Sequence, residues 1–253
     1  MDAVLVADAL LQARRDGQPV DAAAFGASLL NAAEAYGVQA LVARRDDTAD
    51  AGVARYWKSG GPSREGALTH APLPMKGVWS SPADARDWPC NLRIIEAEIA
   101  LRLGRNVSRD DALALTHEDA ASFVDAMAVS IELVDSRWLQ GVQAPPLLKL
   151  ADLQSHGALV LGEWQPFAAR DWLAQRCELK IGESPAVEFR GTHSLGDPAW
   201  VLQDWLRHAT SDGGTVVKGT VVTTGTWCGM LPASEGDFVV ARFDGVGEAS
   251  LQL

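Results

Sequence analysis

The hydrophobic period of the chain changes along its length. Over the first 45 residues apolar side chains recur at helical spacing, and Val6, Ala9, Leu10 and Ala13 share one stripe of a helix predicted over Ala3 to Arg15. After a Gly-Gln-Pro break, Asp21 is placed to cap a second helix running through Ala35, with Phe25, Leu29 and Ala32 inward. Residues 51 to 92 follow neither a helical nor a strand period and are rich in proline and glycine. They read as a long loop segment, and such segments are commonly functional. At IIEAEIALRLG (94–104) the period becomes two. Ile95, Ala97, Ile99, Leu101 and Leu103 fall on one face, and Glu96, Glu98, Ala100 and Arg102 on the other. Thr116 and Asp119 resemble a capping box before a short amphipathic helix carrying Ala120, Phe123, Val124 and Met127. Strands are then predicted at 128–138, 157–162, 177–182, 186–189, 215–226, 237–243 and 248–253. They are interrupted by a helix capped by Asp197, opened by Pro198 and running to Ala209, with Val201, Leu202, Trp205 and Leu206 buried. This order predicts an α+β chain with a mixed β-roll or barrel-like core. Its expected organisation is an N-terminal helical and loop segment over 1–75 and a β-rich domain over 76–253.

Composition narrows the class. Of the 253 residues 47% are hydrophobic and nine are tryptophan, enough for a sizeable core without staples. The net charge of −11 argues against nucleic acid or an anionic membrane as the main partner. No run is long enough to span a bilayer, and the N-terminus lacks the basic and apolar regions of a signal peptide. Cys90, Cys177 and Cys228 lie far apart with no paired spacing, as expected of free thiols in a reducing compartment. The expectation is a soluble cytoplasmic protein.

The candidate chemistry lies in the acids of the apolar strands. Glu96 and Glu98 share a strand face, and Glu132 lies in a second apolar strand. Three carboxylates so placed suit a hard divalent cation, which prefers oxygen ligands. The same spacing also suits a solvated strand face on which the acids pair with Arg102 or Arg93.

EAEIALRLGR (96–105) with IELVDSRW (131–138) resembles the signature of the fumarylacetoacetate hydrolase superfamily, and more narrowly its 2-keto-4-pentenoate hydratase and 4-oxalocrotonate decarboxylase branch. The resemblance continues colinearly through ADLQSHGALVLG (151–162), THSLGDPAWVLQDWL (192–206) and VVTTGTWCGMLPASEGDFVVARFDGVGEASL (221–251). It implies the β-roll fold of that family's C-terminal domain and a homo-oligomer. It also implies Mg²⁺ or Mn²⁺ held by Glu96, Glu98 and Glu132, and a short 2-oxo or 2-hydroxy acid as substrate. Lys58, in RYWKSGG, matches the family's lysine, with Tyr56 in place of a glycine. There it would orient the substrate carboxylate, or serve as acid or base if desolvation lowers its pKa. Asp152 stands where the family has an aspartate, and His156 would carry a proton or cap a turn. Thr224, Gly225 and Thr226 resemble a T-G loop that would bind the substrate carboxylate, or simply close a strand. His193, Ser194 and Gly196 form a further loop candidate. The branch's aspartate between the lysine and the metal strand is absent from THAPLP (69–74), leaving His70, His156 or water to take its proton. The resemblance therefore implies a hydratase of a 2-hydroxy-2,4-dienoate in the catabolism of aromatic compounds. The alternatives are a 2-oxo-3-enedioate decarboxylase, an acylpyruvate hydrolase or a non-catalytic partner subunit.

Overall fold

The computed structural model describes residues 2–45 and 54–253. Helices α1 (Asp2–Asp16) and α2 (Ala32–Arg45) open the chain. Then come β1 (Tyr56–Gly60), β2 (Thr69–Pro72), β3 (Val78–Ser80), β4 (Ala83–Asp84), β5 (Ile94–Leu103), α3 (Arg109–Ala114), β6 (Val124–Val134), α4 (Pro146–Ala151) and β7 (His156–Leu161). The remainder is β8 (Gln165–Pro166), β9 (Arg176–Ile181), β10 (Val187–Arg190), α5 (Leu202–Ala209), β11 (Val221–Thr226), β12 (Leu231–Pro232), β13 (Phe238–Phe243) and β14 (Gly247–Gln252).

The strands form a nine-stranded mixed sheet with the main order β2-β1-β11-β5-β6-β7-β3, and a five-stranded sheet with the order β10-β9-β13-β14-β4. The alternation in β5 explains how they pack. Its odd positions, from Ile95 to Leu103, are at most 1% exposed and join Met127, Val129, Ile131 and Leu133 of β6. Against this apolar face lie Leu179, Val239, Ala241, Ala249 and Leu251 of the smaller sheet. Fully burying each large aliphatic side chain here contributes roughly 1.5–3 kcal/mol. The other face of β5 and β6 is apolar only in part. Ala100 meets Leu73, Leu159, Leu161 and Val221, and the acids occupy the rest.

A separate core joins the N-terminal helices to the large sheet. Val6 and Leu10 of α1 and Val38 and Val42 of α2 pack with Leu148 of α4 around Trp138. The backbone of Val20 bonds both Arg137 O and Leu139 N at 2.9 Å, so this segment is fastened to the turn that follows β6. Inside the junction, Gln39 donates to His70 O at 3.2 Å and Leu150 O at 2.7 Å.

Several expectations change. Asp21 does cap a helix, accepting from Ala23 N, but only a 3₁₀ turn over Ala22–Phe25, and the second α-helix begins at Ala32. The helix expected after Asp119 is likewise a 3₁₀ turn, Ala120–Phe123, and Val124 opens β6. There the β-branched and apolar run gains a full set of ladder bonds against β5 that a short isolated helix could not match. Of 215–226 only Val221–Thr226 is strand. The stretch 51–92, read as loop, contains β1 to β4. Strands β1 and β2 precede residue 76 yet belong to the large sheet, β1 pairing in parallel with β11.

Candidate metal centre and active site

Register brings the acids together. Glu96 on β5 stands directly opposite Glu132 on β6, and Glu98 opposite Ser130. Like charges in direct opposition oppose pairing, so this register requires compensation. Ligand oxygens of Glu96, Glu98 and Glu132 all lie within 4.8 Å of one another. Glu98 is 2% exposed and Glu132 fully buried.

Lys58 supplies one positive charge. Because Lys58 pairs with Thr223, which pairs with Ala100, its side chain shares the face of Glu98. Its Nζ lies 2.6 Å from Glu132 Oε1 and donates to Gln154 O at 3.3 Å. Burial would lower the pKa of this ammonium, but the charges of Glu132, Glu96 and Glu98 outweigh it and the net shift is upward. Burial and the neighbouring acids push Glu96 up to about 8 and Glu98 up to about 7. For Glu132 burial acts upward too, but Lys58 and the His156 hydrogen bond prevail and its pKa falls.

Two bulges complete the cluster. Between Thr223 and Thr226 the β11–β5 register shifts, and Gly225 adopts φ +103, a conformation that favours glycine. This turns Gly225 N–H onto Glu98 Oε2 at 3.1 Å, beside a hydroxyl hydrogen bond from Thr223. Thr223 also meets Ser130 at 3.0 Å. The second bulge lies between Leu133 and Val134. A Cβ at Gly157 would stand 2.6 Å from Leu133 O, so only glycine lets the chain pass so close. His156 then reaches Glu132 Oε1 through Nδ1 at 2.9 Å. Burial lowers the His156 pKa, leaving a neutral ring whose Nδ1–H donates to the carboxylate.

Before that bulge, Leu153, Gln154 and Ser155 take φ values of 51, 56 and 59, three successive left-handed residues without a glycine among them. Each such residue costs of order 1 kcal/mol. The turn is held by Asp152, whose buried carboxylate accepts from Arg137 N at 2.9 Å and Arg137 Nε at 2.6 Å. It directs Gln154 O onto Lys58 and His156 onto Glu132.

The structure thus gathers Lys58, Glu96, Glu98, Glu132 and His156, with Gly225 and Thr226 on the rim. It does not bring in Thr224, which is buried with its hydroxyl on Ile99 O at 2.7 Å. Asp152 is committed to Arg137. His70 pairs with Ser59 on the face away from Lys58, and its ring lies among Tyr36 and His208. His193 bonds Thr224 O at 2.8 Å and braces the bulge. Thr223, Ser130, Gln154 and Arg137 were not singled out from the sequence. Period two would have found Ser130 from Glu132 and Thr223 from Gly225, whereas nothing local marks Gln154.

The pocket over this cluster has a volume of about 370 Å³ and is lined by Lys58, Glu96, Glu98, Gln154, Ser194 and Thr226 among others. Its donors fit a divalent cation. They are all oxygen, and the buried Glu132 Oε2 has no hydrogen-bond partner among the described residues. Three ionised carboxylates beside one ammonium leave two negative charges, which a divalent cation cancels.

Fold and site together define a fumarylacetoacetate hydrolase-type domain. The family model "Fumarylacetoacetate (FAA) hydrolase C-terminal" matches residues 79–253, and the chain belongs to that family. It is 30% identical over 168 residues to the 2-hydroxyhexa-2,4-dienoate hydratase of Comamonas testosteroni, over 62% of this chain and 59% of that protein. The match thus spans less than two thirds of that relative's length. The 4-oxalocrotonate decarboxylase from Pseudomonas putida G7, complexed with magnesium and adipate, superposes with a TM-score of 0.83 at 19% identity, over 99% of this chain and 96% of that chain. A 5-carboxymethyl-2-hydroxymuconate delta-isomerase from Mycobacterium smegmatis superposes with a TM-score of 0.56 at 18% identity, over 79% of this chain and 78% of that chain. At these identities the superpositions establish the fold. Among the described residues no helix is long and apolar enough to cross a membrane.

Proposed function

We propose that the protein is a divalent-cation-dependent hydratase that adds water to a short 2-hydroxy-2,4-dienoate of the 2-keto-4-pentenoate type, in the catabolism of aromatic compounds. Glu96, Glu98 and Glu132 would hold Mg²⁺ or Mn²⁺, and a homo-oligomer is the expected working state. The observation that carries this reading is the set of three convergent carboxylates with a partly buried lysine on the same sheet face. The dienoate hydratase relative supports the substrate class. The cation, when bound, supplies the charge that polarises the substrate's 2-oxygen. Lys58 offers an ammonium to the substrate carboxylate and a proton at Nζ. His156 fixes Glu132 through one oxygen and leaves the other for the cation. Thr223 and Gly225 do the same for Glu98. Gly225 and Thr226 then shape the wall against which the substrate lies.

A second reading, decarboxylation of a 2-oxo-3-enedioate, has one observation in its favour. Among the described residues lining the pocket, the titratable groups are Lys58, Glu96 and Glu98. No further acid stands ready to protonate carbon or activate water, and loss of CO₂ needs none. Incubation with Mg²⁺ and a panel of 2-hydroxydienoates and 2-oxoenedioates separates the two. Loss of ultraviolet absorbance without CO₂ is the hydratase outcome, and CO₂ release is the decarboxylase outcome. Silence on every member, or activity untouched by Glu96→Gln, would sink both.

A further inference from the structure

Lys58 is offered to the substrate in the proposed reaction, yet its ammonium is already engaged. Nζ lies 2.6 Å from Glu132 Oε1, and its second acceptor among the described residues is Gln154 O at 3.3 Å. The side chain is 12% exposed and lines the pocket over Glu96 and Glu98. A ligand there wins the ammonium only if the bond to Glu132 gives way. Glu132 is fully buried, and a buried acceptor is costly to leave without a donor. Held by Lys58 alone, Oε1 would keep the lysine where it is.

A second donor stands on the same oxygen. His156 Nδ1 lies 2.9 Å from Glu132 Oε1, while Oε2 has no partner among the described residues. The imidazole is 2% exposed. It lines a different cavity, beside Arg137 and Gly157, and no part of the pocket over Glu96 and Glu98. A ligand in that pocket therefore meets Lys58 and not His156, which acts only through Glu132. Its tautomer follows from its partners. Nε2 has no hydrogen-bond partner among the described residues, whereas Nδ1 faces a carboxylate oxygen, so the ring proton sits on Nδ1. The two donors also differ in stiffness. Lys58 reaches Oε1 on a flexible four-carbon stem. His156 is fixed by its pairing with Val134 at the bulge and by the close passage of Gly157 against Leu133 O.

We propose that His156 is a positioning residue that frees Lys58 for the substrate, keeping Glu132 Oε1 bonded when the lysine leaves it. This rests on the reading of the pocket as a cation-dependent 2-oxo acid site. With a divalent cation among the three carboxylates, Lys58 is no longer needed to balance their charge, and His156 suffices to satisfy Oε1. The test is a double-mutant cycle on the binding of 2-oxopentanoate, measured by calorimetry on the full chain saturated with Mg²⁺. Titration with Mg²⁺ alone first sets the saturating concentration for each variant. His156→Leu should weaken 2-oxopentanoate roughly tenfold, because Lys58 becomes the sole donor on Oε1 and stays there. Lys58→Met should weaken it by a similar factor. The double variant should bind no worse than Lys58→Met, since the histidine acts through the lysine. His156→Asn, whose amide N–H takes the place of Nδ1–H, should restore most of the affinity. His156→Gln, whose amide stands where Nε2 does, should not, and this pair decides the matter if His156→Leu fails to fold. Wild-type affinity in His156→Gln, or losses that multiply in the double variant, overturn the proposal alone. No binding of 2-oxopentanoate by the Mg²⁺-saturated wild type overturns it together with the proposed function.

Discussion

Replacing Glu98 by glutamine should stabilise the metal-free protein while abolishing its gain from metal. The Glu98 carboxyl moves from 4.5 to about 7 on folding, chiefly through burial and the charge of Glu132. A raised folded-state pKa means that the native state binds more protons than the unfolded chain between those values. The contribution to stability is full below pH 4.5 and is lost as pH rises through 7. At about 1.4 kcal/mol per pKa unit, the loss is roughly 3 kcal/mol at pH 8. Because Glu98 is 2% exposed, solvent screening barely reduces this. Glutamine keeps the shape and removes the charge, but it weakens the hydrogen bonds from Thr223 and Gly225 by about 1 kcal/mol in total. The net expectation is a gain of about 1–2 kcal/mol at pH 8, or a melting temperature higher by about 2–6 °C, shrinking towards zero at pH 5. Thermal melts of metal-free wild type and variant at the two pH values measure it. With Mg²⁺ in hundredfold excess over its dissociation constant the wild type alone should gain about 2.7 kcal/mol. A variant less stable than wild type at pH 8 without metal, or an equal gain at pH 5, would refute the electrostatic reasoning.

Three further outcomes follow from the same geometry. Lys58→Met should lower kcat/KM by about a hundredfold or more in the dienoate assay, and a loss under fivefold would remove Lys58 from proton transfer. Arg137→Met strands the buried Asp152 carboxylate and should cost about 3–5 kcal/mol in urea unfolding, with Asp152→Asn in the same chain restoring much of it. His70 is held down to about 3 by burial and by the nearby His208. The stability it contributes is present above pH 6.5 and lost as pH falls towards 3. Relative to His70→Gln, the wild type should lose about 2 kcal/mol between pH 7 and 5, and parallel pH profiles would contradict this.

Much of the scaffold was legible because burial enforces alternation. The odd positions of β5 are the buried ones, and the strands at 157–162, 177–182 and 237–243 fall within a residue of their predicted limits. The misreadings arose where a local signal competed with a distant partner. Asp21 and Asp119 are sound helix starts, yet a 3₁₀ turn follows each because the next residues are claimed by packing on Trp138 or by pairing with β5. The short strands of 51–92 have too few residues for a period to emerge. At the site, Glu96 and Glu98 were visible as a pair with Glu132 in a second apolar strand, and the resemblance joined the three as ligands of one cation. Thr224 and Asp152 lie off the cluster, because strand alternation turns Thr224 to the face opposite Thr223 and Arg137 holds Asp152.

What the chain alone determined is therefore the side of the strand on which each acid lies, because side-chain alternation is a property of one strand. Tertiary structure decided what those acids face. Cross-strand register set Glu96 against Glu132, the parallel pairing of β1 with β11 carried Lys58 in from the N-terminal part of the chain, and two bulges aimed Gly225 and His156 at the carboxylates. Register depends on which residues, far apart in the chain (Lys58 and Thr223, Glu98 and Thr226), are adjacent in space, and no local spacing encodes that.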